Sequence, residues 1–378
     1  MQIETKVVHA GERRVEGAVV TPIFQSATYV HEEQKGYHDL RYLRLNNTPS
    51  QVVLHDKLAA LEGAESALVT SSGMAAITTT LFALLKSGDH ILAQNVLYGG
   101  TYDFITKDLP ELGITYDFID SNDPASWKAK LKTNTKVIYV ETIANPLLAV
   151  PDLTAVVKFA KEHGLVSAID NTFASPVLYQ PVVQGFDLSL HSCTKYMNGH
   201  SDIVAGAVIG GRALVEKVKH KLDHLGGSLD PHACFLLQRG MKTLALRVRA
   251  QSLNAMAIAK CLSEHDAIER VYYPGLATHP SHGMAAKALN GGFGGMVSFD
   301  VKGGAAAANR FVKRLQLPID APSLGGVDSL VSLPAQSSHA NLAPEARART
   351  GIGDGLVRFS VGIEGTEDLV ADVRQALG

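Results

Sequence analysis

Cysteine is scarce: Cys193, Cys234 and Cys261 are the only three in 378 residues. An odd, dispersed set builds neither a disulfide framework nor a CxxC metal pattern, and a reducing, cytoplasmic setting is the simplest expectation. Charge of one sign is also missing. The 35 Lys+Arg and 37 Asp+Glu leave a formal charge of -2, which gives no general attraction to nucleic acid or to an anionic membrane. There is no run of about 18 apolar residues, so no membrane span is expected. The opening MQIETKVVHAGERR lacks the apolar core of a secretory signal. Periods of about 20–50 residues are absent too, which argues against a repeat array. What is present is a globular make-up, with 46% hydrophobic and 19% charged residues, in a length that suits two domains.

Residues 1–48 carry no stable period and read as an N-terminal arm lying on its own domain or on a second subunit. A large domain is expected over 49–245, where helical and strand signals alternate. Leu54, Leu58 and Leu61 share one face of a helix over 51–61. An apolar stretch at 66–70 precedes a helix from Ser71-Ser72-Gly73 to Lys86, bounded by a Ser cap and by Gly88. Strands are predicted over 91–94, 115–119, 136–141 and 165–170, with helical stretches near 101–109, 124–132 and 153–163. Continuous apolar strands between helices imply a mostly parallel sheet covered on both faces, with ligands at the strands' carboxyl ends. One long helix near 235–264 is expected to lead into a smaller α+β domain, 246–378. Its predicted strands are 270–273, 295–301 and 356–361, and its helices lie near 304–314 and 366–376.

Five pieces carry chemistry. Lys195 follows Ser192-Cys193-Thr194, among small and hydroxyl residues, where a solvated charge gains little. A desolvated amine there suits a Schiff base with a carbonyl cofactor, and Ser192 and Thr194 can bond its phosphate. The plain alternative is a lysine in a Ser/Thr-rich turn. Asp170 ends a buried strand and points at the ligand crevice, where a carboxylate keeps a pyridinium protonated; it serves equally as a turn residue. Ser71-Ser72-Gly73-Met74 opens a helix, a place for a phosphate or for a simple cap. Tyr98, before Gly99-Gly100-Thr101, can stack on a flat ring or start a turn. Arg358 sits inside an apolar strand and suits either an amino-acid α-carboxylate or an internal ion pair. Singly these are weak. In this order they make a complete pyridoxal-phosphate amino-acid site. Two rivals fail. Gly291–Gly295 precedes a predicted strand, not the helix a dinucleotide loop needs. His220 and His224 lack a third ligand, so no metal is expected.

From KVVHAG (6–11) to VRFSVGIE (357–364) the sequence resembles the Cys/Met-metabolism family of pyridoxal-phosphate enzymes. These are the cystathionine γ- and β-lyases, cystathionine γ-synthase, methionine γ-lyase and O-acetylhomoserine sulfhydrylase. The run SCTKYMNGHSDIVAG from Ser192 is the strongest match. SSGMAA (71–76), ETIANPLL (141–148), IDNTFASP (169–176) and SLGGVDSL (323–330) agree. The resemblance implies the aspartate-aminotransferase-like fold (fold type I): an α/β large domain with a mostly parallel seven-stranded sheet and a smaller C-terminal α+β domain. It implies pyridoxal 5'-phosphate as cofactor, with Lys195 as Schiff-base lysine and proton shuttle. Asp170 is implied on the pyridine nitrogen and Tyr98 on the ring, with a part in proton transfer. Gly73, Met74, Ser192 and Thr194 are implied on the phosphate, with Thr172 also in the cofactor site. Arg358, with Ser323 and Asn145, would grip the substrate carboxylate. Tyr42 and Arg44 of the arm would reach the phosphate of a neighbouring subunit in a homotetramer, a dimer of dimers.

Three departures stand out. Asn47-Thr48-Pro49 replaces the family's Asn-Pro-Thr, which implies a different loop path. Pro322 stands where many γ-lyases and bacterial γ-synthases carry a Glu for the distal amine of cystathionine; plant-type γ-synthases share the proline. The Tyr98-Gly99-Gly100-Thr101 run carries no thiol, against a dedicated methionine γ-lyase. The implied activity is β/γ-elimination or γ-replacement on small sulfur amino acids, cystathionine γ-lyase or γ-synthase first. O-acetylhomoserine sulfhydrylase, β-lyase and methionine γ-lyase are the alternatives, and a non-catalytic cofactor-binding protein is the remote one.

Overall fold

The computed structural model describes residues 1–30, 36–37, 40–337, 340, 347 and 351–378. Its larger sheet has seven strands: β1 (Ser66–Thr70), β2 (His90–Gln94), β3 (Thr115–Ile119), β4 (Thr135–Glu141), β5 (Val166–Asp170), β6 (Leu188–Ser192) and β7 (Gly206–Gly210). The order is β1-β7-β6-β5-β4-β2-β3. β3, β2, β4, β5 and β6 pair in parallel, while β7 is antiparallel to both β6 and β1. Two apolar layers sandwich the sheet. One holds Leu54, Leu58, Ile169 and Ile209, the other Leu81, Ile91, Tyr139 and Val208. This double coverage is why the central strands read as unbroken apolar runs.

Helix α1 (Ile3–His9) packs on helix α2 (Pro49–Glu62). α2 starts two residues before the predicted 51, because Thr48 is its N-cap in a capping box with Gln51, and Pro49 takes the first helical position. The Asn47-Thr48-Pro49 departure is therefore a helix start. Helix α3 (Gly73–Leu84) is capped by Ser72, whose Oγ accepts the Ala75 N–H at 2.9 Å. It ends before Lys86, because Leu85 turns extended and buries its side chain.

Other predictions need correction. The single helix near 235–264 is two, Pro231–Met241 and Leu244–Ser263, broken at Lys242-Thr243. The buried Arg247 fills the break. It donates to the carbonyls of Tyr196 (2.7 Å), Met197 (3.2 Å) and Gly240 (2.9 Å), and to Thr243 Oγ1 (3.1 Å). The stretch near 101–109 widens into a π turn over Phe104–Asp108. The stretch near 124–132 is a 3-10 helix, Pro124–Lys130, where the indole of the buried Trp127 donates to the Asp120 carbonyl at 2.6 Å.

A second sheet holds β8 (Ile268–Tyr272), β9 (Met296–Val301), β10 (Ile319–Asp320), β11 (Leu330–Ser332) and β12 (Leu356–Ser360), ordered β10-β11-β12-β9-β8. All its pairings are antiparallel except β10 with β11. It has its own core, with Val297, Phe299, Phe311, Phe359 and Leu369. The helices Gly304–Arg314 and Thr366–Leu377 lie where predicted. Among the described residues, no helix is long and apolar enough to cross a membrane.

Candidate active site

The carboxyl ends of β2, β4, β5 and β6 open on one cavity of about 990 Å³, at the upper end of small-molecule sites. Gly73 and Met74 reach it from the start of α3, and Tyr98 from the turn after β2. Glu141 and Asn145 come from the end of β4 and the turn beyond it. Asp170 and Thr172 come from the end of β5, and Ser192, Thr194 and Lys195 from the end of β6. Pro322, Ser323 and Arg358 close it from the second sheet.

One end is built for an anion. The N–H groups of Gly73 and Met74 open α3 and have no acceptor within the helix. A Cβ at Gly73 would sit 2.7 Å from Ser192 Cβ and 3.0 Å from Ser192 Oγ, so only glycine leaves a cradle there. The Ser192 N–H is held by Thr172 Oγ1 at 2.8 Å. The Thr194 hydroxyl donates to the Ala205 carbonyl at 3.2 Å and accepts from its N–H at 3.0 Å. It reaches a phosphate only by giving up the carbonyl contact.

Lys195 lies beyond that cradle, its Nζ donating to Ser323 Oγ at 2.9 Å. Burial, helped by the charge of Arg358, lowers the amine to about 8. Asp170 is held by the Thr172 N–H at 2.9 Å. Burial pushes its carboxyl up and the bonds from Thr172 pull it back. Arg358, also buried, donates to Asn145 Oδ1 at 3.3 Å and to the Ser323 carbonyl at 3.4 Å. No carboxylate among the described residues pairs with it, so the internal ion pair is not its partner. Burial lowers its guanidinium to about 10. The Tyr98 ring is half exposed and lies against Gly100, where a Cβ would come within 2.7 Å of Tyr98 Cε1.

Residues 4–378 match the family model described as Cys/Met metabolism PLP-dependent enzyme. The chain belongs to that family. A cystathionine beta-lyase of Lactococcus lactis subsp. cremoris is 43% identical over 378 residues, covering 99% of this chain and 98% of that protein. A cystathionine gamma-lyase of Bacillus subtilis is 43% identical over 380 residues, covering 100% and 99%. A solved cystathionine gamma synthase from Xanthomonas oryzae pv. oryzae has a TM-score of 0.95 at 40% identity, covering 100% of this chain and 98% of that one. The fold is fold type I, and the enzyme depends on pyridoxal 5'-phosphate and acts on a small amino-acid substrate in sulfur amino-acid metabolism. The cavity fits that cofactor: a cradle at the start of α3, the half-buried Asp170 carboxylate and a desolvated amine face one space.

The structure does not bring every predicted residue of this family site together. Tyr42 and Arg44 lie outside the cavity of their own chain. Arg44 donates to the Asp223 carbonyl at 2.6 Å and to Tyr37 OH at 2.5 Å. Conversely, Glu141 lines the cavity although the residue-level reading passed over it inside ETIANPLL. The strand-end logic that singles out Asp170 applies to it equally, since the two are register partners on β4 and β5. A second cluster lies on the sheet's other face. There Glu62 Oε1 bonds His191 Nε2 (2.7 Å), Ser189 Oγ (3.1 Å) and Asn171 Nδ2 (3.3 Å), buttressing the ends of β5 and β6.

Proposed function

We propose that the protein is a trans-sulfuration lyase that breaks the C–S bond of L-cystathionine, at Cγ in preference to Cβ. The observation that carries the reading is the Lys195 amine, lowered to about 8, in one cavity with the carboxylate-matching Arg358 and Asp170. When bound, pyridoxal 5'-phosphate supplies an aldehyde for the substrate amine and a ring that takes up the charge left on Cα.

The chain's own groups do the rest. Gly73 and Met74 N–H, with Ser192 and Thr194, hold the phosphate. Asp170, with Thr172 behind it, holds a proton on the ring nitrogen. Tyr98 covers the ring and orients it. Arg358 and Asn145 bind the α-carboxylate. Lys195 would take the Cα proton, hand it on to the cofactor's aldehyde carbon and, neutral again, take the Cβ proton that γ chemistry also demands. A base near 8 is matched to that work at neutral pH. Ser323 gives its amine a defined resting partner.

A second reading, γ-replacement by a thiol, is favoured by Pro322, which lines the cavity and offers no charge to a distal amine. Incubation with L-cystathionine separates them. 2-Oxobutyrate with cysteine supports the proposal. Pyruvate with homocysteine would move cleavage to Cβ. No 2-oxo acid, but consumption of O-acylated homoserine with cysteine, would make it a synthase.

We also infer a cytoplasmic homotetramer with sites shared between two subunits, supported by the position of Tyr42 and Arg44 outside their own cavity. Light scattering of the purified protein tests the assembly.

A further inference from the structure

Glu141 is the last residue of β4, buried and facing the cavity, and the mechanism above gives it no task. Oε1 accepts the Tyr98 N–H at 2.6 Å. The Asn145 backbone N–H also favours the charged form of this carboxyl. The residue's own N–H donates to Gln94 Oε1 at 3.0 Å, fixing it to the end of β2.

An acid placed here is costly. Burial, with Asp170 on the neighbouring strand, pushes the carboxyl up to about 8. Leucine would fill the volume without that cost. What an acid offers is an oxygen on each arm that can accept, both when ionised and, through its carbonyl and the lone pairs of its hydroxyl, when protonated. That matches two backbone N–H groups belonging to two different loops. One loop carries Tyr98, whose ring lies against Gly100, so the backbone at 98 decides where the ring lies. The other carries Asn145, which also accepts from Arg358.

We propose that Glu141 is a positioning residue that fastens the Tyr98 loop and the Asn145 turn to β4, setting the cofactor contact and the carboxylate contact from one buried side chain. The inference rests on the functional reading above, which puts the cofactor beside Tyr98 and the substrate carboxylate beside Asn145.

The test uses full-length protein loaded with pyridoxal 5'-phosphate, as wild type, Glu141→Ala and Glu141→Gln. Two readouts do not depend on turnover. Visible circular dichroism of the bound cofactor follows its orientation against Tyr98. The change in its visible absorption reports Kd for L-alanine, which has the α-carboxylate but no leaving group. Glu141→Ala is expected to lose about half or more of the dichroism and to bind L-alanine about tenfold or more weakly. Glu141→Gln, which keeps one acceptor, falls between that variant and wild type. Wild-type values for both readouts in Glu141→Ala would overturn the proposal, as would a Gln variant as impaired as the Ala variant. If Glu141→Ala does not fold, Glu141→Gln decides alone: a loss of about threefold in L-alanine affinity supports the proposal and no change in either readout overturns it. Wild-type protein that takes up no cofactor would overturn the functional reading itself, and this inference with it.

Discussion

Ser323 stands between Lys195 and Arg358, accepting the amine on its hydroxyl at 2.9 Å and the guanidinium on its carbonyl at 3.4 Å. Its φ of 118° is one that non-glycine residues seldom hold. A strained residue thus keeps a buried guanidinium and a half-buried amine in fixed relation, and their repulsion contributes to the lowered Lys195 amine.

That amine makes cofactor-free protein sensitive to pH. Its ordinary value is 10.5 and its folded value about 8. Between these the unfolded chain binds more protons, so stability rises with pH across the window, and below it the full cost is present. Lys195→Met is expected to exceed wild type in stability by about 1–2 kcal/mol at pH 7, solvent access to the amine being allowed for. The gap should close near pH 10.5. Urea unfolding of both cofactor-free proteins at the two pH values checks this, and an equal gap at both would refute it.

Arg358 has donors to spare and no acid beside it among the described residues. Arg358→Ala should raise KM for an amino-acid substrate about 100-fold, or about 3 kcal/mol. The cofactor's absorption at roughly 420 nm should persist. Steady-state kinetics beside a spectrum would show both; loss of the band together with activity would mean that the residue holds the cofactor site together instead.

Gly73→Ala is a steric test of the anion cradle. The new methyl meets Ser192 at 2.7 Å, so the start of α3 and the end of β6 must part. Affinity for pyridoxal 5'-phosphate should fall about tenfold or more, with smaller loss for pyridoxal, which has no phosphate. Equilibrium titration of the cofactor-free variant with both compounds measures the difference, and an equal loss for each would discount the cradle.

Asp170→Asn removes the charge while keeping the shape and the Thr172 contact. We expect kcat to fall about 100-fold or more with KM little changed, since the proton on the ring nitrogen matters most when charge leaves Cα. A fall confined to KM would assign Asp170 to binding.

β2, β4 and β5 are legible in the sequence because each is a largely apolar run with a polar end, and Asp170 is legible as one such end; β3 is legible from its aromatic and β-branched residues despite Asp117. β6 and β7 escape that reading. Leu188–Ser192 merges into the lysine run, and Gly206–Gly210 is five small or apolar residues after a loop. β10 is two residues long and β11 three, too short for periodicity to register. The break at Lys242-Thr243 has only Gly240, two residues earlier, to announce it. It depends on what Arg247 touches some 50 positions away in the chain. Glu141 is as legible a strand end as Asp170; what the sequence does not show is its task, because its partners are backbone N–H groups, which leave no mark on residue type.

The Arg247 clamp also bears on motion. It grips the residues immediately after Lys195, yet it rides on the helix that leads into the smaller sheet. Tilting that half of the molecule about residues 242–243 would tug directly on the lysine's tether. Opening and closing around a substrate must then bend somewhere else, or carry Lys195 along with the moving part.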